Sequence, residues 1–279
     1  MLGAIIGDIC GSIYEFDNER NYDRIELFGK GCFPTDDSVM TVAVAQALMD
    51  TRHSPELSKD AVIDMMHYYG KLFPRAGYGG NFGRWLRSGD RKPYKSWGNG
   101  SAMRVSSVGW LYDSLEETLK FAKLSAEVTH DHPEGIKGAQ ATAAAIYMAR
   151  TGSSKEEIKG YIEKNFGYDL DFTIDDIREE YEFDESCQGS LPPALAAFFE
   201  STDFEDSVKR VISVGGDSDT LAAICCAVAE AYYGIPEWME KKAFEILSFK
   251  ENRLGRFENQ VLASQVIRFQ REIQGLQHH

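Results

Sequence analysis

The sequence predicts an all-α protein, and two observations carry that reading. Residues 38–50, 136–150 and 219–233 are dense in Ala, Val, Met and Leu. These runs are too long for buried strands and lack the alternation of half-buried ones. Convincing hairpin turn signals are missing elsewhere in the chain.

The elements follow in order. The first helix carries Gly3, Gly7 and Gly11 at a spacing of four, beside Ala4 and Ser12. Such a face lets another helix or a loop approach closely. Asp8 shares this helix; a carboxylate beside a tightly packed face needs partners, so it is read as supporting a nearby site. The run 38–50 is the second helix and 55–73 the third. A glycine-rich turn precedes an apolar helix at roughly 101–112. Helices at 114–128, 136–150 and 154–165 come next. The stretch 168–186 is strongly acidic. Its Asp169 and Asp171 resemble the start of an EF-hand loop, but Ile174 stands where that loop needs Gly, so it is read as solvated surface. Helices at 192–201, 203–213, 219–233, 236–248 and 257–274 complete the chain. The Ala-rich helices are expected in the middle and the charged ones outside. No low-complexity linker divides the chain, so a single domain over 1–276 is expected, with 277–279 a tail, natural or a tag remnant.

Composition narrows the function. The chain has 279 residues, 30 Lys plus Arg against 44 Asp plus Glu, and a net charge of −14. General nucleic-acid or anionic-membrane binding is disfavoured unless a local basic patch exists, whereas recognition of one phosphorylated group is not. The five cysteines are Cys10, Cys32, Cys187, Cys225 and Cys226. They are odd in number and form no C-x-x-C pair, which argues against a disulfide framework or a zinc site. The apolar N-terminus is interrupted by Asp8 and has no basic residues before it, unlike a signal peptide. No apolar stretch is long enough to span a bilayer. A cytoplasmic monomer is expected.

Two segments resemble each other. Thr35-Asp36-Asp37-Ser38 and Asp217-Ser218-Asp219-Thr220 each place two carboxylates and a Thr at the start of an Ala-rich helix. One such start alone reads as a helix cap. Two together leave carboxylates in surplus, and the apolar runs behind them bring their starts together near the core. Crowded acids there would have to protonate or hold a hard divalent cation. An oxygen-only donor set suits magnesium, manganese or calcium and is large enough for two ions. Trp97-Gly98-Asn99-Gly100-Ser101-Ala102-Met103-Arg104 reads as a turn whose backbone amides can face an anion. In Thr129-His130-Asp131-His132-Pro133, one His is expected to pack or meet a ligand and the other to be exposed.

With these motifs in their order, the chain resembles the ADP-ribosylglycohydrolases. The resemblance rests on G-A-I-I-G-D at 3–8, T-D-D-S at 35–38, G-N-G-S-A-M-R at 98–104, T-H-D-H-P at 129–133 and G-G-D-S-D-T at 215–220, and it covers nearly the whole chain. It implies a compact orthogonal helical bundle with two magnesium ions, or manganese, in a cleft. Thr35, Asp36, Asp37, Asp217, Asp219 and Thr220 would be the ligands. Glu15 matches a mobile metal-contacting Glu in the branch that acts on serine-linked and other O-linked ADP-ribose. The loop 98–103, with Trp97, Gly98, Asn99, Gly100, Ser101 and Met103, would hold the diphosphate. His130 would line the distal ribose, Asp36 would also touch substrate, and Gly189 and Ser190 would lie on the adenine side. Ser101 stands where relatives commonly have Gly or Ala, which would alter the phosphate cradle slightly. The resemblance implies hydrolysis of the bond between ADP-ribose and a protein side chain or small acceptor, releasing ADP-ribose. Asp36 or Asp37 would orient the water, with Glu15 as a rival acid or base. A two-metal nucleotide phosphohydrolase and a non-catalytic ADP-ribose-binding or structural protein are the alternatives.

Overall fold

The computed structural model describes residues 1–51, 54–248 and 259–276. Helices carry the chain in the order α1 Leu2–Gly11, α2 Asp36–Asp50, α3 Pro55–Leu72, α4 Gly80–Ser88, α5 Gly100–Met103, α6 Val108–Leu111, α7 Leu115–Glu127 and α8 Pro133–Arg150. Then come α9 Lys155–Phe166, α10 Ile174–Ile177, α11 Cys187–Glu200, α12 Phe204–Ile212, α13 Ser218–Tyr233, α14 Glu237–Leu247 and α15 Asn259–Leu276. The described residues contain no strand, only an isolated antiparallel bridge between Gly98 and Ser186. The fold is all-α, as the sequence predicts.

The three Ala-rich helices occupy the centre. In α13 every residue from Ser218 to Ala229 is buried, and it packs against α1, α8, α11 and α12. Small side chains allow that many neighbours around one helix. One continuous set of buried side chains runs from Met1 to Phe269.

The glycine face of α1 sets the tightest contact. A Cβ on Gly3 would lie 2.4 Å from the Cys226 carbonyl oxygen, one on Gly7 2.2 Å from that of Ala222, and one on Gly11 2.6 Å from the Asp219 Cα. Gly3 faces the far end of α13 and Gly11 its beginning, so the two helices run antiparallel. At the far end Glu230 accepts from the Met1 amino group at 2.6 Å and from the Gly3 N–H at 2.8 Å. At the near end the crossing brings Asp8 beside the start of α13.

Several boundaries differ from the expectations. The helix expected at 101–112 is two short ones, α5 and α6, separated at Arg104, whose buried guanidinium turns inward to the Ser125 carbonyl and the Thr129 hydroxyl. The helix expected from 192 begins at Cys187. Pro192 and Pro193 lie inside it, and the Tyr181 hydroxyl donates at 3.1 Å to the Gly189 carbonyl that the Pro193 nitrogen cannot serve. The α4 helix was not anticipated, because Gly80 and Gly83 obscure its apolar face of Phe82, Trp85 and Leu86. The acidic stretch is largely exposed, but Tyr168, Leu170 and Ile174 anchor it to the core and it contains α10. The helix expected at 257–274 is α15; positions 257–258 and the tail 277–279 lie outside the described residues.

The glycine crossing yields a first prediction. Gly7→Ala gains helix propensity but drives a methyl into rigid backbone, and should destabilise the protein by about 1–3 kcal/mol. Gly160→Ala, in exposed α9 with nothing within 4 Å of the added carbon, should stabilise by up to about 1 kcal/mol. Urea unfolding of both variants beside the parent checks this; an unchanged midpoint for Gly7→Ala would show that the crossing tolerates a side chain.

Candidate active site

The starts of α2 and α13 meet at the C-terminal end of α1. Oxygen atoms of Asp8, Asp37 and Asp219 lie within 4.8 Å of one another, and so do those of Glu15, Asp217 and Asp219. Asp219 belongs to both groups, so two triples of carboxylates share one member. The sequence expectation that the two Asp-rich starts come together agrees with this geometry.

Capping accounts for little of this acidity. The Thr35 hydroxyl caps α2 by accepting from the Asp37 N–H at 3.3 Å. Asp217 occupies the cap position of α13, yet its side chain makes no capping bond. It accepts from the Asn99 side chain at 2.7 Å instead. The Asp37 Oδ2 accepts from the Thr220 hydroxyl at 3.2 Å, while its Oδ1 is buried with no hydrogen-bond partner. Left-handed φ angles of +80° and +70° at Gly215 and Gly216 turn the chain into this start.

Asp8 is a different kind of acid. It accepts from the Thr35 N–H at 2.8 Å, the Thr35 hydroxyl at 2.7 Å, the Ser38 N–H at 3.1 Å and the Ser38 hydroxyl. Its two oxygens are thus spent on holding the α2 start against α1, consistent with a supporting role.

Burial pushes every acid here upward in pKa. Asp8 and Asp217 rise to about 6 and Glu15 to about 8, the last with added repulsion from Asp219 and Asp8. Asp36, Asp37 and Asp219 rise well above the usual carboxylate range, from burial first and neighbouring carboxylates second. Among the described residues none of these six is ion-paired with Lys or Arg. The orphaned Asp37 oxygen, the shared Asp219 and the all-oxygen donor set fit a hard divalent cation. Asp36 stands outside both triples and keeps part of its surface accessible. Its N–H donates at 2.8 Å to the Ala76 carbonyl.

The glycine loop adjoins the acids through Asn99. Its availability to an anion is narrower than the sequence suggests. The Asn99 N–H is spent on the Glu185 carbonyl at 2.7 Å, and those of Ala102 and Met103 on the Asn99 carbonyl. The Gly98 N–H donates to the Ser96 hydroxyl at 3.2 Å. Among the described residues, the Gly100 and Ser101 amides face no such acceptor. The Ser101 hydroxyl turns into the core and donates to the Gly135 carbonyl at 2.7 Å, so it does not line the cradle. Met103 is buried, with its sulfur 3.9 Å from the Thr220 hydroxyl. Trp97 is 45% exposed at the mouth. Ser190 accepts from the Asn99 side chain at 2.9 Å, and the Gly189 N–H is used to cap α11.

His130 completes the loop side. It is 4% exposed, and its Nε2 would lie 3.3 Å from a Cβ on Gly100. Its Nδ1 sits 2.8 Å from the Thr129 hydroxyl, which also meets the Arg104 guanidinium at 2.9 Å. A guanidinium only donates, so the Thr129 oxygen accepts from it; the hydroxyl has no other acceptor among the described residues, which assigns its hydrogen to Nδ1. The ring proton therefore sits on Nε2, facing the loop. Burial, aided by the charge of Arg104, holds the ring neutral, its pKa well below the usual histidine range. His132 instead caps α8, accepting from the Glu134 N–H at 3.1 Å.

Sequence reasoning missed three contributors. Arg104 and Thr129 lay within quoted motifs but carried no assigned role. Asn18 ties the Glu15 turn to the α13 start: its amide donates to Gly216 and accepts from the Gly216 N–H at 2.9 Å. No local sequence signal marks that pairing.

The family model for ADP-ribosylglycohydrolases matches residues 1–265. ADP-ribosylhydrolase ARH3 of Mus musculus is 27% identical over 96% of this chain and 90% of its own length. ADP-ribosylarginine hydrolase Tri1 of Pseudomonas putida (strain GB-1) is 27% identical over 88% of this chain and 73% of its own. A solved structure described as an ADP-ribosylglycohydrolase-related protein complex superimposes with a TM-score of 0.66 at 25% identity, covering 96% of this chain and 95% of that one. The chain belongs to the ADP-ribosylglycohydrolase family, hydrolases of ADP-ribosyl linkages. Among the described residues no helix is long and apolar enough to cross a membrane.

The raised acids make metal-free stability depend on pH in a definite sense. The folded state holds protons that the unfolded chain releases above about pH 4. The contribution of these acids is therefore largest below that value and falls as pH rises towards about 8, through the values for Asp8, Asp217 and Glu15, outweighing the opposite contribution of the single buried His130. Urea unfolding in a chelator from pH 5 to 8 should show this decline, and saturating magnesium should flatten it. A metal-free stability that rises over that interval would contradict the crowding of unpaired acids.

Proposed function

We propose that this ADP-ribosylglycohydrolase cleaves the bond between the anomeric carbon of ADP-ribose and an acceptor oxygen, using two magnesium ions. The observation that carries the reading is the pair of carboxylate triples sharing Asp219. Asp37, Asp219, Asp217 and Glu15 would hold the ions, with Thr35 and Thr220 beside them. When bound, such ions fix vicinal ribose hydroxyls and make a water nucleophilic at neutral pH.

The chain's own groups then divide the work. The Gly100 and Ser101 amides and the Nε2–H of His130 converge on one side and suit the diphosphate and its ribose. Asp36 stands outside both triples, so its carboxylate is free to orient a water and take its proton. The water oxygen bonds to the anomeric carbon as the bond to the acceptor oxygen breaks, and the acceptor leaves with a proton from solvent. Holding the ribose fixed supplies the orientation that an oxocarbenium-like departure needs. The position of Glu15 beside Asp217 and Asp219 supports an O-linked acceptor, because a Glu there marks the branch with O-linked substrates. ADP-ribosylated proteins and small O-linked conjugates are the proposed substrates.

Asp36→Asn and Asp219→Asn test the assignment. Each removes an acid whose burial among other carboxylates is costly, so both should fold, with metal-free melting temperatures no lower than the parent. Both should lose at least about a hundredfold in ADP-ribose release at saturating magnesium. A simple cap would show the reverse pattern, a stability loss with catalysis intact. Full activity in either variant would remove that residue from the mechanism. Chromatography of the products adds a second check: intact ADP-ribose is expected, whereas AMP with ribose phosphate would assign the site to phosphohydrolysis.

A further inference from the structure

We propose that residues 71–95 form a cationic rim beside the candidate site that docks an acidic polypeptide segment of the ADP-ribosylated acceptor. This rests on the glycohydrolase reading and names the acceptor class that the site serves. Lys71, Arg75, Arg84, Arg87, Arg91, Lys92 and Lys95 stand here against one acid, Asp90, in a chain whose net charge is −14. All seven are exposed.

Both ends of the stretch touch the candidate site. At one end the Ala76 carbonyl accepts from the Asp36 N–H at 2.8 Å, and a Cβ on Gly77 would lie 3.3 Å from the Asp36 carboxylate. At the other the Tyr94 and His130 rings are 6.2 Å apart, and the Ser96 hydroxyl accepts from the Gly98 N–H. The basic stretch therefore leaves the site at Asp36 and returns to it at His130. Between these ends α4 buries Phe82, Trp85 and Leu86 and turns Arg84 and Arg87, one turn apart, outward together.

The acids facing the rim leave most of it unmatched. Asp60 and Asp64 of α3 hold Arg91. Asp131 accepts from the Lys95 N–H and Asp90 from the Lys92 N–H, both backbone groups. Among the described residues, the side-chain charges of Lys71, Arg75, Arg84, Arg87, Lys92 and Lys95 have no carboxylate at ion-pair distance. An acidic floor repels an anionic substrate; a cationic rim beside the site offsets that repulsion and steers an acidic acceptor in.

A short acidic peptide fits this surface better than nucleic acid. The outward face of α4 is only about 13 Å long, and beyond it a continuous phosphate backbone would meet a predominantly acidic chain. The α4 rings are buried, so its outer face offers bases nothing to stack on.

The test compares the full chain with Arg84→Glu/Arg87→Glu and with the milder Arg84→Gln/Arg87→Gln. Fluorescence anisotropy with an unmodified Glu-rich peptide should show salt-sensitive binding to the parent, about tenfold weaker in the Glu variant and intermediate in the Gln variant. Turnover should show KM for an ADP-ribosylated Glu-rich peptide raised by a similar factor with kcat unchanged, while a small ADP-ribosyl conjugate reacts as in the parent. Equal peptide binding by parent and Glu variant would overturn the proposal. So would tighter binding of a single-stranded oligonucleotide of equal charge, or equal losses on both substrates. If the parent released ADP-ribose from neither substrate, the glycohydrolase reading would fail, and the anisotropy result would still decide whether the rim binds acidic peptide.

Discussion

The close antiparallel crossing of α1 and α13 is the constraint on which the site depends. Two helices meeting through glycines approach backbone to backbone, and neither can slide without driving carbonyls together. One end is held by Glu230 on the Met1 amino group, a contact of 2.6 Å with a fully buried amine. The other end places Asp8 beside Asp219. Once Asp8 is there, its hydrogen bonds to Thr35 and Ser38 fix the start of α2, and Asp37 arrives opposite Thr220. The meeting of Asp8, Asp37 and Asp219 is therefore a consequence of helix packing.

Crowded carboxylates in one buried place differ in how much the protein does for each. Asp8 receives four donors and is raised only to about 6 despite complete burial. Asp217 has the Asn99 amide and is likewise raised to about 6. Asp37 accepts from the Thr220 and Thr35 hydroxyls and Asp219 from the Thr220 N–H, yet burial and then neighbouring carboxylates push both well above the usual range. The protein has compensated its supporting acid and left the others short of donors. That shortfall is what a bound cation could relieve.

How far the sequence reveals this depends on range. The long Ala-rich helices and the surplus acids at two helix starts are legible because each signal lies within a few consecutive residues. The meeting of those starts follows from their shared apolar character. The α4 helix hides behind two glycines, and the true start of α11 behind Pro192, because a proline in the second turn reads locally as a beginning. The glycine loop illustrates the deeper difficulty. Its amides read as free for an anion, but the Asn99 N–H pairs with Glu185, 86 positions away, as does the Ser101 hydroxyl with nearby Cys187 at the same separation. Hydrogen bonds between distant segments leave no periodicity to detect, and they decide which donors remain for a ligand.

The same accounting bears on how a diphosphate is held. Arg104, the buried cation nearest the loop, is only 1% exposed and turns one guanidinium nitrogen to the Ser125 carbonyl and the Thr129 hydroxyl. Burial first and the Arg104 charge second keep His130 neutral, and the Thr129 bridge leaves its Nε2–H turned to the loop. On the proposed reading the protein therefore offers the diphosphate neutral donors, the Gly100 and Ser101 amides and the imidazole N–H, beside a floor of carboxylates. Neutral donors alone cannot outweigh that repulsion, since charges interact over longer distances than hydrogen bonds do. Cation and diphosphate binding must then be coupled, each making the site more favourable for the other by the same factor. On that reading, an acidic floor with no fixed cation in contact among the described residues would hold its anionic substrate best with the ions in place.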